Sequence, residues 1–87
     1  MYYIYILLFN NNQIYTGFTE NLKRRFKEHS EGKVASTAKR RPLKLIHYEA
    51  YSLKQDALRR EKFLKTSDGK RFLKQQLAIL FKQIGKE

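Results

Sequence analysis

The feature that most constrains this chain is the run Tyr2-Tyr3-Ile4-Tyr5-Ile6-Leu7-Leu8-Phe9, eight consecutive apolar or aromatic residues. A bilayer span needs about 20 such residues, and no basic residues precede the run as a secretory leader would require. Its β-branched and tyrosine-rich content, with turn formers directly after it, predicts a strand buried on both faces. A chain of 87 residues has material for one core, and residues 1–87 are expected to form a single domain.

Asn10-Asn11-Asn12-Gln13 supplies residues that tolerate the left-handed backbone of a hairpin turn. Ile14-Tyr15-Thr16-Gly17-Phe18 then reads as the returning strand. Thr19 is the expected N-cap of a first helix, with Glu20 in its first turn. Leu22 and Phe26 at i, i+4 carry that helix to near Glu31, where Gly32 can end it. From Gly32 to Pro42 no period is visible, and the polar, cationic stretch Ser36–Arg41 is expected to be a loop on the ligand face. Leu43–Tyr51 is the third strand. Ser52 with Gln55 forms a capping box for a second helix, with Leu53, Ala57, Leu58 and Leu64 on one side. After Thr66-Ser67-Asp68-Gly69, Ser67 or Asp68 can cap a third helix carrying Leu73, Leu77, Leu80, Phe81 and Ile84 at helical spacing. The expected fold class is α/β, more narrowly α+β: a small three-stranded antiparallel sheet flanked by helices, in the order β-β-α-β-α-α.

Nineteen Lys and Arg against eight Asp and Glu leave a net charge of +11, beyond the roughly 2–8 that keeps a small domain soluble. All nineteen cations lie at or after Lys23. Such a surplus points to a polyanion, of which nucleic acid is the commonest. The absence of Cys excludes a disulfide framework and a thiolate metal site. Two His argue against a multi-histidine cage. A soluble, cytoplasmic protein that does not enter a membrane is expected.

Several residues invite a functional reading. Glu61 lies three and four positions after Leu58 and Ala57 and three before Leu64, on or beside the apolar stripe of the second helix. A carboxylate there needs a partner or a bound cation, and a salt bridge to Lys65 at i+4 is the alternative. Asp56, four before Arg60, suits an ordinary exposed pair. Arg25 and His29 share one face of the first helix, where they could grip a phosphate and relay a proton, or form a solvated basic face with Lys23, Arg24 and Lys27. Tyr5 and Tyr15 share a sheet face only if paired residues have an even sum. That requires a three-residue loop or a bulge, since a two-residue Asn11-Asn12 turn would separate them.

Taken together, Tyr3-Ile4-Tyr5, Tyr15-Thr16-Gly17, Arg25 followed by His29, and the Ala57-Leu58-x-x-Glu61 helix resemble the GIY-YIG nuclease domain over about residues 2–75. The likeness is to small stand-alone bacterial members related to the N-terminal domain of the excinuclease UvrC. Tyr3 stands where the family name has its first glycine, and no Asn follows Glu61. The resemblance implies divalent-metal-dependent hydrolysis of a DNA phosphodiester. Position by position, it casts Tyr5, Tyr15, Arg25, His29 and Glu61 as catalytic, with Glu61 the metal-binding carboxylate for Mg²⁺ or Mn²⁺. It casts Gly17 as the glycine that lets backbone and substrate approach. Tyr15 would be the general base, a role that a phenol with a pKa of about 10 fills only where nearby positive charge favours the phenolate.

The expected DNA contacts are Gly17, Lys23, Arg24, Lys27, Thr37, Lys39, Arg40 and Arg41, with Lys70 and Arg71 of the third helix extending the same surface. The expected substrate is single-stranded, branched or damaged DNA, in repair or maintenance, with RNA a further candidate partner and the protein a monomer or weak dimer. The alternative is a non-catalytic DNA- or RNA-binding module on the same fold.

Overall fold

The computed structural model describes residues 1–85. The long apolar run is β1 (Tyr2–Phe9), and it lies at the centre of a three-stranded antiparallel sheet between β2 (Ile14–Thr19) and β3 (Leu43–Tyr51). That central position is why both of its faces are apolar: Ile4 and Ile6 are fully buried on one, Tyr5, Leu7 and Phe9 on the other. The observed fold is the expected α+β class.

The hairpin settles the parity of the tyrosines. The Phe9 N–H donates to the Gln13 carbonyl at 2.9 Å and the Asn12 N–H to the Phe9 carbonyl at 3.0 Å, which closes a three-residue loop over Asn10–Asn12. Asn12 supplies the left-handed residue, with φ 65°, as three-residue hairpin loops require. Leu7 therefore pairs with Tyr15 and Tyr5 with Gly17, which puts Tyr5 and Tyr15 on one face. β3 pairs with β1 through a bulge opposite Ile6 and Leu7.

One face of the sheet carries α2 (Lys54–Leu64), α3 (Ser67–Gln76) and α4 (Ala78–Gln83). Ala57, Leu64, Leu73 and Phe81 pack there against Ile4 and Ile6. The opposite face, with Tyr5 and Tyr15, is covered by α1 (Leu22–Ser30) through His29.

Five local expectations are corrected. Asn21, not Thr19, caps α1: its side chain accepts from the Arg24 N–H at 3.0 Å. Thr19 instead ends β2 and its hydroxyl accepts from the Asn21 N–H. Ser52 makes no capping box, because α2 starts one residue later, at the uncapped Leu53. Leu53 and Leu58 are exposed, so only Ala57 and Leu64 of the predicted stripe reach the core. Thr66 caps α3, donating to the Phe63 carbonyl and accepting from the Gly69 N–H. A Cβ on Gly69 would stand 1.8 Å from the Phe63 carbonyl oxygen, so only glycine allows the two helices to join so closely. Finally, the expected third helix is two, broken at Leu77 (φ −109°, ψ 33°). The break lets Leu80, Phe81 and Ile84 reach the core alongside Leu73.

The termination of α1 follows expectation. Gly32 (φ 76°) turns the chain as the Lys33 N–H reaches the Glu28 carbonyl and the Gly32 N–H the His29 carbonyl, a Schellman closure. The loop beyond is more ordered than its sequence suggests. It contains a 3-10 turn over Ala38–Arg40 and buries Val34 and Thr37.

Candidate active site

His29 organises the site. It projects from the last turn of α1 and is fully buried. Its ring meets those of Tyr5 and Tyr15 edge-on, with centroids 5.6 and 5.4 Å apart. Its Nδ1 lies 2.7 Å from the Thr37 hydroxyl and its Nε2 2.8 Å from the Tyr5 hydroxyl. The Thr37 hydroxyl donates to the Val34 carbonyl at 3.4 Å, leaving it a lone pair for Nδ1–H. Nε2 then accepts the proton of Tyr5. Burial, followed by the charge of Arg25, holds the His29 pKa below its usual value, partly opposed by Glu28. A neutral imidazole is therefore locked between a threonine and a tyrosine.

Tyr5 is buried, and burial raises its pKa. Arg25 pulls the other way, while Tyr15 and Glu61 push it up further. Those influences come from Tyr15 of β2, Arg25 of α1 and Glu61 of α2. Tyr15 lies 6.4 Å from Tyr5, ring to ring, and is half-buried. Among the described residues no hydrogen bond engages its hydroxyl, whereas the hydroxyl of Tyr5 is held by His29.

Gly17 has a structural requirement that the sequence did not show. A Cβ there would lie 2.4 Å from Cζ and from the hydroxyl oxygen of Tyr5. The glycine makes room for its cross-strand partner's ring, so the space above it belongs to Tyr5.

Arg25 is partly exposed and bonds Glu28 at 3.2 Å. Glu61 lies on the Ala57–Leu64 face of α2, with its side chain 21% exposed, and it does form the i, i+4 pair with Lys65, at 3.3 Å. Among the described residues no group of three or more His, Cys, Asp or Glu could hold a metal ion. Glu61 would thus hold one alone. A single hard carboxylate fits Mg²⁺, which keeps several waters and takes other ligands from phosphate.

The expected contact residues divide. Lys23, Arg24 and Lys27 are exposed along α1, and Lys39 is exposed on the loop. His29, by contrast, is not part of a solvated basic face and presents nothing to a phosphate. Thr37 is likewise buried, and its hydroxyl faces His29 rather than solvent. Arg40 stacks on the Phe9 ring, 4.0 Å from its centroid, and bonds Gln13. Arg41 donates to the Ala38 and Ser30 carbonyls. These two arginines tie the loop to the hairpin and to α1. Lys70 and Arg71 are exposed on α3, in the same helix layer as α2, and Arg71 is paired with Asp68.

The Asp56–Arg60 pair is not formed. Arg60 instead grips Glu49 of β3 through two hydrogen bonds, at 3.0 and 3.3 Å, and also donates to Gln76. His47 and Tyr51 complete the ring of partners around Glu49. Burial alone would raise the pKa of Glu49, but hydrogen bonds from Tyr51, His47 and Arg60, with the charge of Arg60, hold it below the usual range.

Two tyrosines lie on adjacent strands, an arginine and a histidine one turn apart on the following helix, and one carboxylate on a later helix, the order in which the resemblance to the GIY-YIG family expects them. The chain belongs to that family: the model of the GIY-YIG catalytic domain matches residues 1–75. More particularly, it is similar to proteins of the UPF0213 group. The UPF0213 protein RBAM_000440 of Bacillus velezensis is 43% identical over 61 residues, covering 69% of this chain and 62% of that one, just under two thirds of its length. The UPF0213 protein SH2523 of Staphylococcus haemolyticus is 40% identical over 74 residues, covering 84% and 90%. The solution NMR structure of the UPF0213 protein BH0048 from Bacillus halodurans superposes with a TM-score of 0.55 at 37% identity, covering 92% of this chain and 85% of that one. Among the described residues no helix is long and apolar enough to cross a membrane.

Proposed function

We propose that this protein is a divalent-metal-dependent endonuclease that hydrolyses DNA phosphodiester bonds, with single-stranded, branched or damaged DNA as substrate. What supports this is the packing of Tyr5 and Tyr15 against a buried, neutral His29 one turn from Arg25, in a chain of the GIY-YIG family, with Glu61 the carboxylate that the family resemblance assigns to the metal. The roles follow from exposure and hydrogen bonding. Tyr15, with its hydroxyl uncommitted, is the general base: having first given its phenolic proton to solvent, it orients the attacking water and takes up that water's proton. The partly exposed guanidinium of Arg25 neutralises the non-bridging oxygens as charge builds on them. Tyr5 and His29 are positioning residues: the pair fixes the tyrosine ring over Gly17 and against Tyr15. A metal ion held by Glu61 would supply positive charge at the leaving oxygen. Lys23, Arg24, Lys27 and Lys39 draw the phosphate backbone in without reading sequence.

The Glu61–Lys65 pair favours a second reading, a DNA- or RNA-binding module on the same fold, since the carboxylate already has a cationic partner. Incubation with circular single-stranded and supercoiled DNA in Mg²⁺, Mn²⁺ or EDTA separates the two. The nuclease is expected to cut in metal, not in EDTA, and to be silenced by Glu61→Ala and strongly slowed by Tyr15→Phe. Activity surviving Glu61→Ala would refute the assignment; no cleavage in any metal would favour the binder.

A further inference from the structure

On the active-site face of the sheet, a groove runs between α1 and the edge strand β3, and its aromatic walls have no part in the machinery above. Its walls are Tyr3, Asn21, Lys23, Phe26, Leu45 and Tyr48. It adjoins a hollow on α1 formed by Lys23, Arg24, Phe26 and Lys27. Tyr48 is 52% exposed, although β-strand aromatics normally gain by burial. Its ring is held edge-on against Tyr3, centroids 6.2 Å apart, so it stands as a fixed plate. Register places it directly opposite Tyr5, one strand from the candidate catalytic cluster. Lys23, Arg24 and Lys27 are exposed and carry no ion pair among the described residues, and Glu20 is the only acidic residue lining either hollow. The groove thus offers flat aromatic faces beside unneutralised cations.

We propose that this groove is a base-stacking site for single-stranded DNA, in which unpaired bases lie against Tyr48 and Phe26 while the phosphates run along Lys23, Arg24 and Lys27 into the Tyr5–Tyr15 site. A duplex cannot use it in this way, because its base faces are already stacked on one another; an extended single strand presents them. The proposal rests on the nuclease reading for the polymer it names, but not on cleavage taking place.

Binding is measured in EDTA by fluorescence anisotropy, with labelled oligothymidine, oligouridine and a hairpin duplex as probes. Tyr48→Leu keeps an apolar contact with Tyr3 but removes the aromatic plate, and is expected to weaken oligothymidine binding by about 5- to 150-fold, the range of one lost base–aromatic stack. Tyr48→Phe keeps the plate and is expected to bind like the unaltered protein. Duplex binding is expected to be unchanged by either. Circular dichroism establishes that both variants are folded, and Phe26→Leu repeats the test from α1. Equal oligothymidine affinity in Tyr48→Leu and the unaltered protein would overturn the proposal, as would an equal loss on the duplex. A larger Tyr48-dependent affinity for oligouridine would overturn its assignment to DNA. Because binding is read in EDTA, where no cut is expected, a failure of cleavage leaves this result standing and the two readings distinguishable.

Discussion

The Thr37–His29 contact permits a sharp test of the buried hydrogen-bond chain. Thr37→Val is isosteric, so it removes the hydroxyl that faces Nδ1 at 2.7 Å without opening a cavity. Both side chains are fully inaccessible, so no water can replace the lost partner. An unsatisfied buried donor costs about 1–3 kcal/mol. Moving the proton to Nε2 brings no relief, since Nδ1 is then an unsatisfied acceptor and Tyr5 loses its acceptor. For a domain of this size each kcal/mol lowers Tm by about 4–8 °C, so a loss near 2 kcal/mol is a drop of about 8–16 °C. The assay is urea and thermal unfolding followed by circular dichroism, the chain having no Trp. Thr37→Ser restores the hydroxyl and should recover most of the loss. The pH dependence has a definite sign. His29 has its folded pKa below the ordinary value, so the unfolded chain takes up the proton first. The stability this contributes is complete above about pH 6.5 and falls as pH drops below it. A Thr37→Val protein within about 0.5 kcal/mol of the original, well under the cost of one orphaned donor, would refute the chain of hydrogen bonds described here.

Three further outcomes follow from the packing and the charges. Gly69→Ala forces a methyl into the Phe63 carbonyl and should cost about 3 kcal/mol or more, read as a collapse of Tm while surface substitutions on α3 stay near zero. Lys65→Ala frees the Glu61 carboxylate; because an exposed pair is worth about 0.2–1 kcal/mol, stability should hardly change. The Mg²⁺ concentration for half-maximal cleavage should fall by up to about fivefold, the same energy expressed as affinity. Burial, then the hydrogen bond and charge of Glu49, push Tyr51 up to about 12. The folded form therefore keeps a proton that the unfolded chain releases near pH 10, and stability should fall between about pH 10 and 12. Unfolding curves of Tyr51→Phe should lack that alkaline limb.

Part of the site was legible as spacing. Helical period put Arg25 beside His29 and Glu61 beside Ala57 and Leu64. Strand parity left Tyr5 and Tyr15 open until the turn was known, and the family resemblance singled out the five as a set. Glu61 shows the limit: its period placed it between Ala57 and Leu64, and equally beside Lys65, and both relations hold. Other features left no local trace. Thr37 sits eight residues beyond His29 in a stretch with no period, so its link to the imidazole exists only because the loop folds back. Arg60 has Asp56 at a favourable helical spacing, yet Glu49 captures it, because a half-buried carboxylate on the adjacent strand offers a drier, two-pronged partner. The break at Leu77 has no Gly or Pro to announce it, and it brings Leu80, Phe81 and Ile84 onto the core.

The sequence by itself determined the central strand, the order of elements, the cationic surplus and the identity of the groups available for chemistry. Those depend on short-range rules: alternation along a strand, period along a helix, turn-forming residues at their joints. Tertiary structure alone decided what each group is free to do. It buried His29 and Thr37 and so turned two expected ligand contacts into supports, gave the space above Gly17 to the ring of Tyr5, and committed Arg40 and Arg41 to holding the loop. It left the Tyr15 hydroxyl without a hydrogen-bond partner among the described residues and kept Lys23, Arg24 and Lys27 exposed. The physical reason is that burial and hydrogen-bond partnership are properties of distant segments brought together, and no local pattern encodes them.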